Sequence, residues 1–202
     1  MNFKVDHGHG IRTYGRKRLG EIFQFRYTEQ LEFENYKVEQ WIRKKCKWAY
    51  KRGYIEKVKV WLGTLHQKQL AHDIVPDVMI KWINRDIGYG VFANETLKQW
   101  DYVGEYAGLL RRRNLFYRNI NDYCFMYPRE WLTLKAYTID SKLQGNMTRF
   151  INHSDTPNLE AISVLFDGVF RIMFRAIRTI KPGEELTYDY GYFYWQNRRK
   201  LS

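Results

Sequence analysis

Between Glu29 and Arg52 the apolar residues Leu31, Val38, Trp41, Ile42 and Ala49 keep close to a 3.6-residue period, while Glu32, Lys37, Glu39, Lys44, Lys45 and Lys51 fill the other faces. This spacing predicts an amphipathic helix. Gly53 follows as a natural C-cap, and lysine and arginine crowd the last turns, where the helix dipole favours them. Trp41 and Trp48 are seven apart and share a face, which core packing explains at least as well as a binding role. The stretch Tyr54–Leu62 fits a strand and a helix equally well. Upstream, residues 1–20 carry little apolar periodicity and are broken by Gly8, Gly10, Gly15 and Gly20, so they read as a tail. His7 and His9 sit among those glycines and read as flexible chain rather than as metal ligands.

Beyond Pro76 the texture changes. Val78–Ile83, Gly88–Ala93 and Tyr102–Leu110 read as strands, the first two joined by a turn at Asn84–Asp86. Residues Asn114–Pro128 are irregular and aromatic, and a short strand follows at Tyr137–Asp140. Asp167-Gly168 between Val164–Phe166 and Phe170–Arg175 is a two-residue hairpin signal. Lys181-Pro-Gly183 makes a further turn into Leu186–Tyr190. Many short strands joined by turns, after a helical segment, predict a β-rich α+β fold.

Charge is unevenly spread within a net +12: residues 1–84 hold 17 basic and 9 acidic groups, residues 85–202 hold 17 and 13. From Arg43 to Lys59 eight basic residues face one acid, Glu56. Such a cluster serves either as a DNA or nucleosome contact or as an ordinary solvated helix face, and the sequence leaves both open. Two cysteines, Cys46 and Cys124, are too few for a disulfide framework or a cysteine-built zinc cluster, and read as free thiols. No apolar run approaches the roughly 20 residues of a membrane span, and the first residues lack the apolar core of a secretory signal. Export by a specialised machine stays open.

Four segments carry the chemistry: Gly88-Tyr-Gly-Val-Phe-Ala93, Glu105-Tyr-Ala-Gly108, Arg149-Phe-Ile-Asn-His-Ser154 with Pro157-Asn158, and Glu185-Leu-Thr-Tyr-Asp-Tyr-Gly191. In their order and spacing they resemble the SET-domain protein lysine methyltransferases. The resemblance covers little more than half the chain. It implies a pseudoknot of small curved sheets, in which the last motif threads beneath an earlier loop and meets Asn152-His153. A basic, mainly helical N-terminal extension (1–76) would precede the SET domain (77–191), and an aromatic and basic lid segment (192–202) would follow it. With two cysteines the chain looks like the zinc-free branch, which includes chlamydial members. Asp155, where many relatives carry cysteine, agrees with the absence of a zinc-bound lid, and no metal is expected.

The implied reaction is methyl transfer from S-adenosyl-L-methionine to a lysine amine. Tyr190 matches the family's catalytic tyrosine. Tyr188 and Tyr106 would line the same channel. Gly88, Tyr89 and Gly90 would let the backbone approach the cofactor, with Asn152 and His153 holding its adenine, chiefly by backbone hydrogen bonds. Tyr123 would add a cofactor contact. Arg149 would either reach the cofactor or brace the knot. Trp195 would either stack on the adenine or simply cover the core. Glu105 and Asp189 read as structural. The substrate implied is a lysine-rich protein, a histone or histone-like DNA-packaging protein, mainly monomethylated. That would put the protein at a bacterial nucleoid or, if exported, in a host nucleus. The competing reading is an inactive SET-like module that docks on a basic or nucleic-acid-bound partner.

Overall fold

In the computed structural model, which describes residues 1–113, 120–128 and 137–195, the chain opens with β1 (Asn2–Asp6) and β2 (Ile11–Gly15), then α1 (Arg16–Ile22). The tail expected over residues 1–20 is therefore a strand hairpin and a helix. Phe3 and Val5 alternate inward along β1 and are almost fully buried. Two apolar residues were too few to register as a period.

Two short strands, β3 (Arg26–Tyr27) and β4 (Glu32–Phe33), come before α2 (Tyr36–Lys51). The helix thus starts seven residues later than the periodicity of 29–52 implied. Asn35 caps it by accepting from the Val38 N–H, while the backbone of residues 32–33 pairs with a strand far along the chain. Ile42, Cys46 and Ala49 form its buried stripe. Burial pushes the Cys46 thiol up to about 11, which keeps it an inert core group. The ambiguous 54–62 stretch is largely helical: α3 (Lys57–Leu65) and α4 (Gln67–His72) follow.

The strand-rich part then runs β5 (Val78–Asn84), β6 (Gly88–Ala93), β7 (Tyr102–Glu105), β8 (Gly108–Arg112), β9 (Cys124–Met126), β10 (Tyr137–Gly145), β11 (Asn152–His153), β12 (Leu159–Phe166), β13 (Val169–Ala176), β14 (Glu185–Tyr188) and the single turn α5 (Tyr192–Trp195). The expected Tyr102–Leu110 strand divides in two at Tyr106-Ala107. The β12–β13 hairpin turns at Asp167 and Gly168, both with positive φ (48° and 70°), as a tight primed turn requires.

Three sheets result. One has the order β11-β14-β6-β5-β1-β2, a second β3-β10-β8-β4 with β9 also on β10, and a third β12-β13-β7. β1 pairs in parallel with β5, and β3 and β4 pair in parallel with β10 and β8, so hydrogen bonds join sequence on either side of residue 76.

Buried polar groups make the same connection. Asp73 accepts from the Tyr27 hydroxyl (2.6 Å), Arg16 (3.2 Å) and Asn146 (3.1 Å). Asn146 and Thr148 both donate to the Glu105 carbonyl, while the Glu105 carboxylate takes Arg171 (3.1 Å) and the Leu31 N–H (3.2 Å). Burial raises the carboxyl pKa of both Asp73 and Glu105. Among the described residues no helix is long and apolar enough to cross a membrane.

Candidate active site

β11 lies at one edge of the first sheet and runs parallel to β14, with Asn152 opposite Thr187 and His153 opposite Tyr188. The Ser154 N–H donates to the Tyr188 carbonyl. Since backbone groups alternate direction along a strand, Asn152 turns its N–H and C=O toward β14 and His153 turns its own pair outward. The short edge thus presents one donor and one acceptor side by side.

Side chains lock this edge in place. The Asn152 amide donates to the Tyr89 carbonyl (3.2 Å) and to Glu185 (2.8 Å), so its N–H groups tie β11 to β6 and β14. At Gly90 a Cβ would lie 2.5 Å from the Glu185 carboxylate and 2.8 Å from the end of the Ile83 side chain, so a larger residue would have to push both side chains aside. Gly88 has φ +81°, and the space a Cβ would occupy is open. His153 Nδ1 accepts from the Tyr190 N–H (3.2 Å), which places the proton of the neutral ring on Nε2, 3.1 Å from Asp155.

Tyr190 stands at the centre. Its hydroxyl donates to the Ile151 carbonyl (2.9 Å). Its ring centroid lies 4.7 Å from Tyr188, 4.6 Å from Tyr194 and 5.4 Å from His153, with Trp195 stacked at 6.1 Å. Tyr188 in turn packs on Phe174 (4.7 Å) and Phe125 (6.1 Å). Tyr106, packed on the same Phe125, donates to the Tyr123 carbonyl (2.7 Å). Burial raises the phenol pKa of Tyr106, Tyr188 and Tyr190 alike, so all three are neutral donors at physiological pH and none is a base.

The remaining predicted residues fall around this cluster. Arg149 donates to the Ser141 and Lys142 carbonyls and lies between the rings of Tyr123 (4.2 Å) and Phe25 (4.4 Å). These contacts brace β10 against the 149–153 segment, and burial lowers its pKa. Trp195 comes within 4.8 Å of the His153 ring. Glu105 belongs to the buried network, and Asp189 accepts from the Gly191 N–H.

Several neighbours were not legible in the motifs. Tyr89 meets Phe23 (4.9 Å) and Trp82 (5.1 Å), and its hydroxyl is 2.9 Å from His7 Nδ1; His7 Nε2 reaches the Tyr14 hydroxyl at 3.0 Å. His7, expected to be free, thus links the N-terminal hairpin to the Gly88–Gly90 turn. Burial, the largest cause, lowers its pKa. An open groove of about 680 Å³ between α1, β3 and Leu143 contains none of the motif residues.

Residues 88–191, just over half of the chain, match the SET domain. The chain belongs to the SET domain family. It is 36% identical over 115 residues to the histone-lysine N-methyltransferase SUV39H1 of Xenopus laevis, a match covering 52% of this chain and 27% of that protein. Among solved structures, the Chaetomium thermophilum polycomb repressive complex 2 superposes with a TM-score of 0.53 at 27% identity, over 63% of this chain and 17% of that one. The same complex in an autoinhibited conformation bound to S-adenosylmethionine gives 0.52 at 29% identity, over 58% and 15%. The SET chain therefore spans little more than a quarter of the curated relative's length. The strand-rich architecture is the SET domain fold.

Proposed function

We propose that this SET domain is an S-adenosylmethionine-dependent protein-lysine N-methyltransferase. One observation carries the reading: the phenols of Tyr106, Tyr188 and Tyr190, shielded from water, converge beside an edge, at His153, that offers a backbone donor and acceptor. An adenine needs such a donor–acceptor pair. Trp195 supplies an aromatic face next to it, and Gly88 an open approach for the rest of the cofactor. Bound there, S-adenosylmethionine supplies an electrophilic methyl group on a positively charged sulfur.

The chain's own part is positioning. A lysine side chain entering among Tyr106, Tyr188 and Tyr190 loses water, and desolvation beside a positive sulfur favours the neutral amine. The Tyr190 hydroxyl and the Ile151 carbonyl orient that amine in line with the transferred carbon. The lone pair of the neutral amine would thus face the methyl that the bound cofactor would supply, and the proton of the resulting methylammonium would pass to solvent as the product withdraws. With all three phenols held neutral, catalysis rests on orientation and on carbonyl and ring dipoles in a dry channel, not on a phenolate base.

The substrate proposed is a histone or histone-like DNA-packaging protein, in keeping with the name of the Xenopus relative. Monomethylation is expected because Tyr188 is wedged between Phe174, Phe125 and Tyr190, where a hydroxyl leaves little room for a methylated amine to turn. The zinc-free reading rests on the two cysteines: Cys46 is buried and Cys124 half-buried. Incubation with radiolabelled cofactor and a panel of histones and nucleoid proteins, with label located by mass spectrometry, tests the activity. Label on lysine Nζ is expected. No label on any substrate, with no calorimetric binding of the cofactor, would overturn the reading.

A further inference from the structure

We infer that the exposed face of α2 binds unpaired nucleic-acid strands, stacking their bases on Trp48 and Tyr54. Lys37, Lys44 and Lys51 recur every seven residues and so form one line along the helix. Lys47 lies on one side of that line, Lys45 and Arg52 on the other. From Lys37 to Lys51 the line is about 21 Å long at 1.5 Å per residue. Among the described residues, no carboxylate comes within ion-pair distance of any of these six cations. The helix's own Glu39 sits on the far side, held by Arg43, and Glu56 is held by Lys59.

Trp48 lies beside the C-terminal half of this line, between the turns of Lys44 and Lys51, 42% exposed, with Tyr54 (54% exposed) at a ring distance of 5.3 Å and Lys45 Nζ 5.8 Å from its ring. Tyr50 is exposed too. Large aromatics left in water and ringed by unpaired cations point to an anionic ligand with flat faces of its own. Phosphates on a duplex would use the lysines and leave the rings idle. An unpaired strand uses both, since any base has a face to stack. An anionic membrane would also meet cations and aromatics, but α2 buries its apolar stripe, Ile42, Cys46 and Ala49, in the core. A bilayer would therefore meet the cations with Trp48, Tyr50 and Tyr54 but no aliphatic stripe of α2 to take up.

The inference does not depend on the methyltransferase reading, and its test keeps the two apart. Binding of the full chain would be measured by fluorescence anisotropy with labelled single-stranded DNA, single-stranded RNA and duplex DNA of equal length, and by co-sedimentation with phosphatidylserine vesicles. Single strands of either sugar are expected to bind at least tenfold more tightly than duplex at equal salt. Trp48→Ala and Tyr54→Ala should each weaken single-strand binding about tenfold. Lys44→Gln with Lys47→Gln and Lys51→Gln should flatten the slope of log affinity against log salt by about 0.7 for each phosphate no longer neutralised. Unchanged thermal melting, and unchanged methylation of a free peptide if that activity is present, would show the variants folded. Duplex affinity equal to single-strand affinity, or full single-strand affinity in Trp48→Ala, would overturn the base-stacking proposal. So would binding to vesicles alone, or to no ligand of the set.

Discussion

Replacing Tyr190 by phenylalanine separates the catalytic from the structural use of one hydroxyl. That hydroxyl donates a single hydrogen bond, to the Ile151 carbonyl at 2.9 Å. The ring is held independently by Tyr188, Tyr194, His153 and Trp195. Tyr190→Phe should therefore keep the ring in place and cost about 0.5–1.5 kcal/mol of stability, the net value of one such bond. In a chain of this size that is a fall of roughly 1–6 °C in Tm. At 25 °C a domain with about 5–15 kcal/mol of stability stays folded after such a loss, so stability alone would leave the rate nearly unchanged. The Tyr190 N–H to His153 Nδ1 bond and the outward edge of His153 do not involve the hydroxyl, so cofactor affinity should stay within a few-fold. If the phenol orients the amine, the single-turnover rate should fall about 100-fold, or roughly 2.7 kcal/mol in barrier. Calorimetric titration, thermal melting and single-turnover assays on one preparation supply all three numbers. A rate within threefold of wild type with a lowered Tm would reduce the hydroxyl to a latch on Ile151 and refute its part in the reaction.

Tyr188→Phe should carry products from one methyl to two or three with the first transfer retained, read by intact mass of a saturated substrate. Trimethyl product from the wild type would remove Tyr188 as the limit. The rate at saturating substrate should rise from pH 7 to pH 9. A free lysine with pKa about 10.4 is neutral in only about one molecule in a thousand at pH 7.4, and the three channel phenols stay protonated throughout. A flat profile with chemistry limiting would require another route for the proton. His7→Ala should weaken cofactor affinity several-fold with little change in the maximal rate, because His7 holds Tyr89 from the hairpin side. Burial keeps His7 below its usual pKa; its contribution should be complete above about pH 6.5 and be lost as the pH falls through the lower folded value. Equal affinity in His7→Ala across that range would disconnect the hairpin from the site.

What the sequence made legible was what short-range chemistry decides. The Asp167-Gly168 turn, the β5–β6 pair and the burial of Ile42 and Ala49 in α2 depend on neighbours in the chain, and they stand where their patterns predicted. Errors arose where the partner was distant. The start of α2 moved because residues 32–33 pair with Leu109 and Leu110. Residues 1–20 looked like a tail because the strand that makes β1 useful, β5, begins at Val78. The same distance hid His7, whose partner Tyr89 lies 82 residues on. The four motifs pointed to Tyr190, His153 and Asn152 together, but they did not indicate that the Asn152 N–H groups are spent on Tyr89 and Glu185, or that Arg149 is clamped between two rings and bound to two carbonyls.

Removing the basic N-terminal segment to probe its charges would therefore destroy the domain, since it contributes strands to two sheets and Arg16, Tyr27 and Leu31 to the buried network. Its charge nevertheless raises a physical problem for the proposed reaction. A protein of net charge +12 repels a lysine-rich substrate, and like charges slow encounter and weaken any complex at low salt. Such a substrate is ordinarily bound to nucleic acid, which carries the opposite sign. The α2 face would resolve the conflict wherever the substrate sits on an unpaired strand, turning mutual repulsion into shared attachment to one single-stranded polyanion. A kinetic signature follows from that geometry. Added nucleic acid should accelerate methylation of a lysine-rich protein up to the point where both proteins occupy the same strands. In excess it should slow the reaction by separating them, and Trp48→Ala should flatten both limbs of that curve while leaving the rate on a short free peptide unchanged. A monotonic fall with added nucleic acid would mean that the polyanion merely masks the substrate.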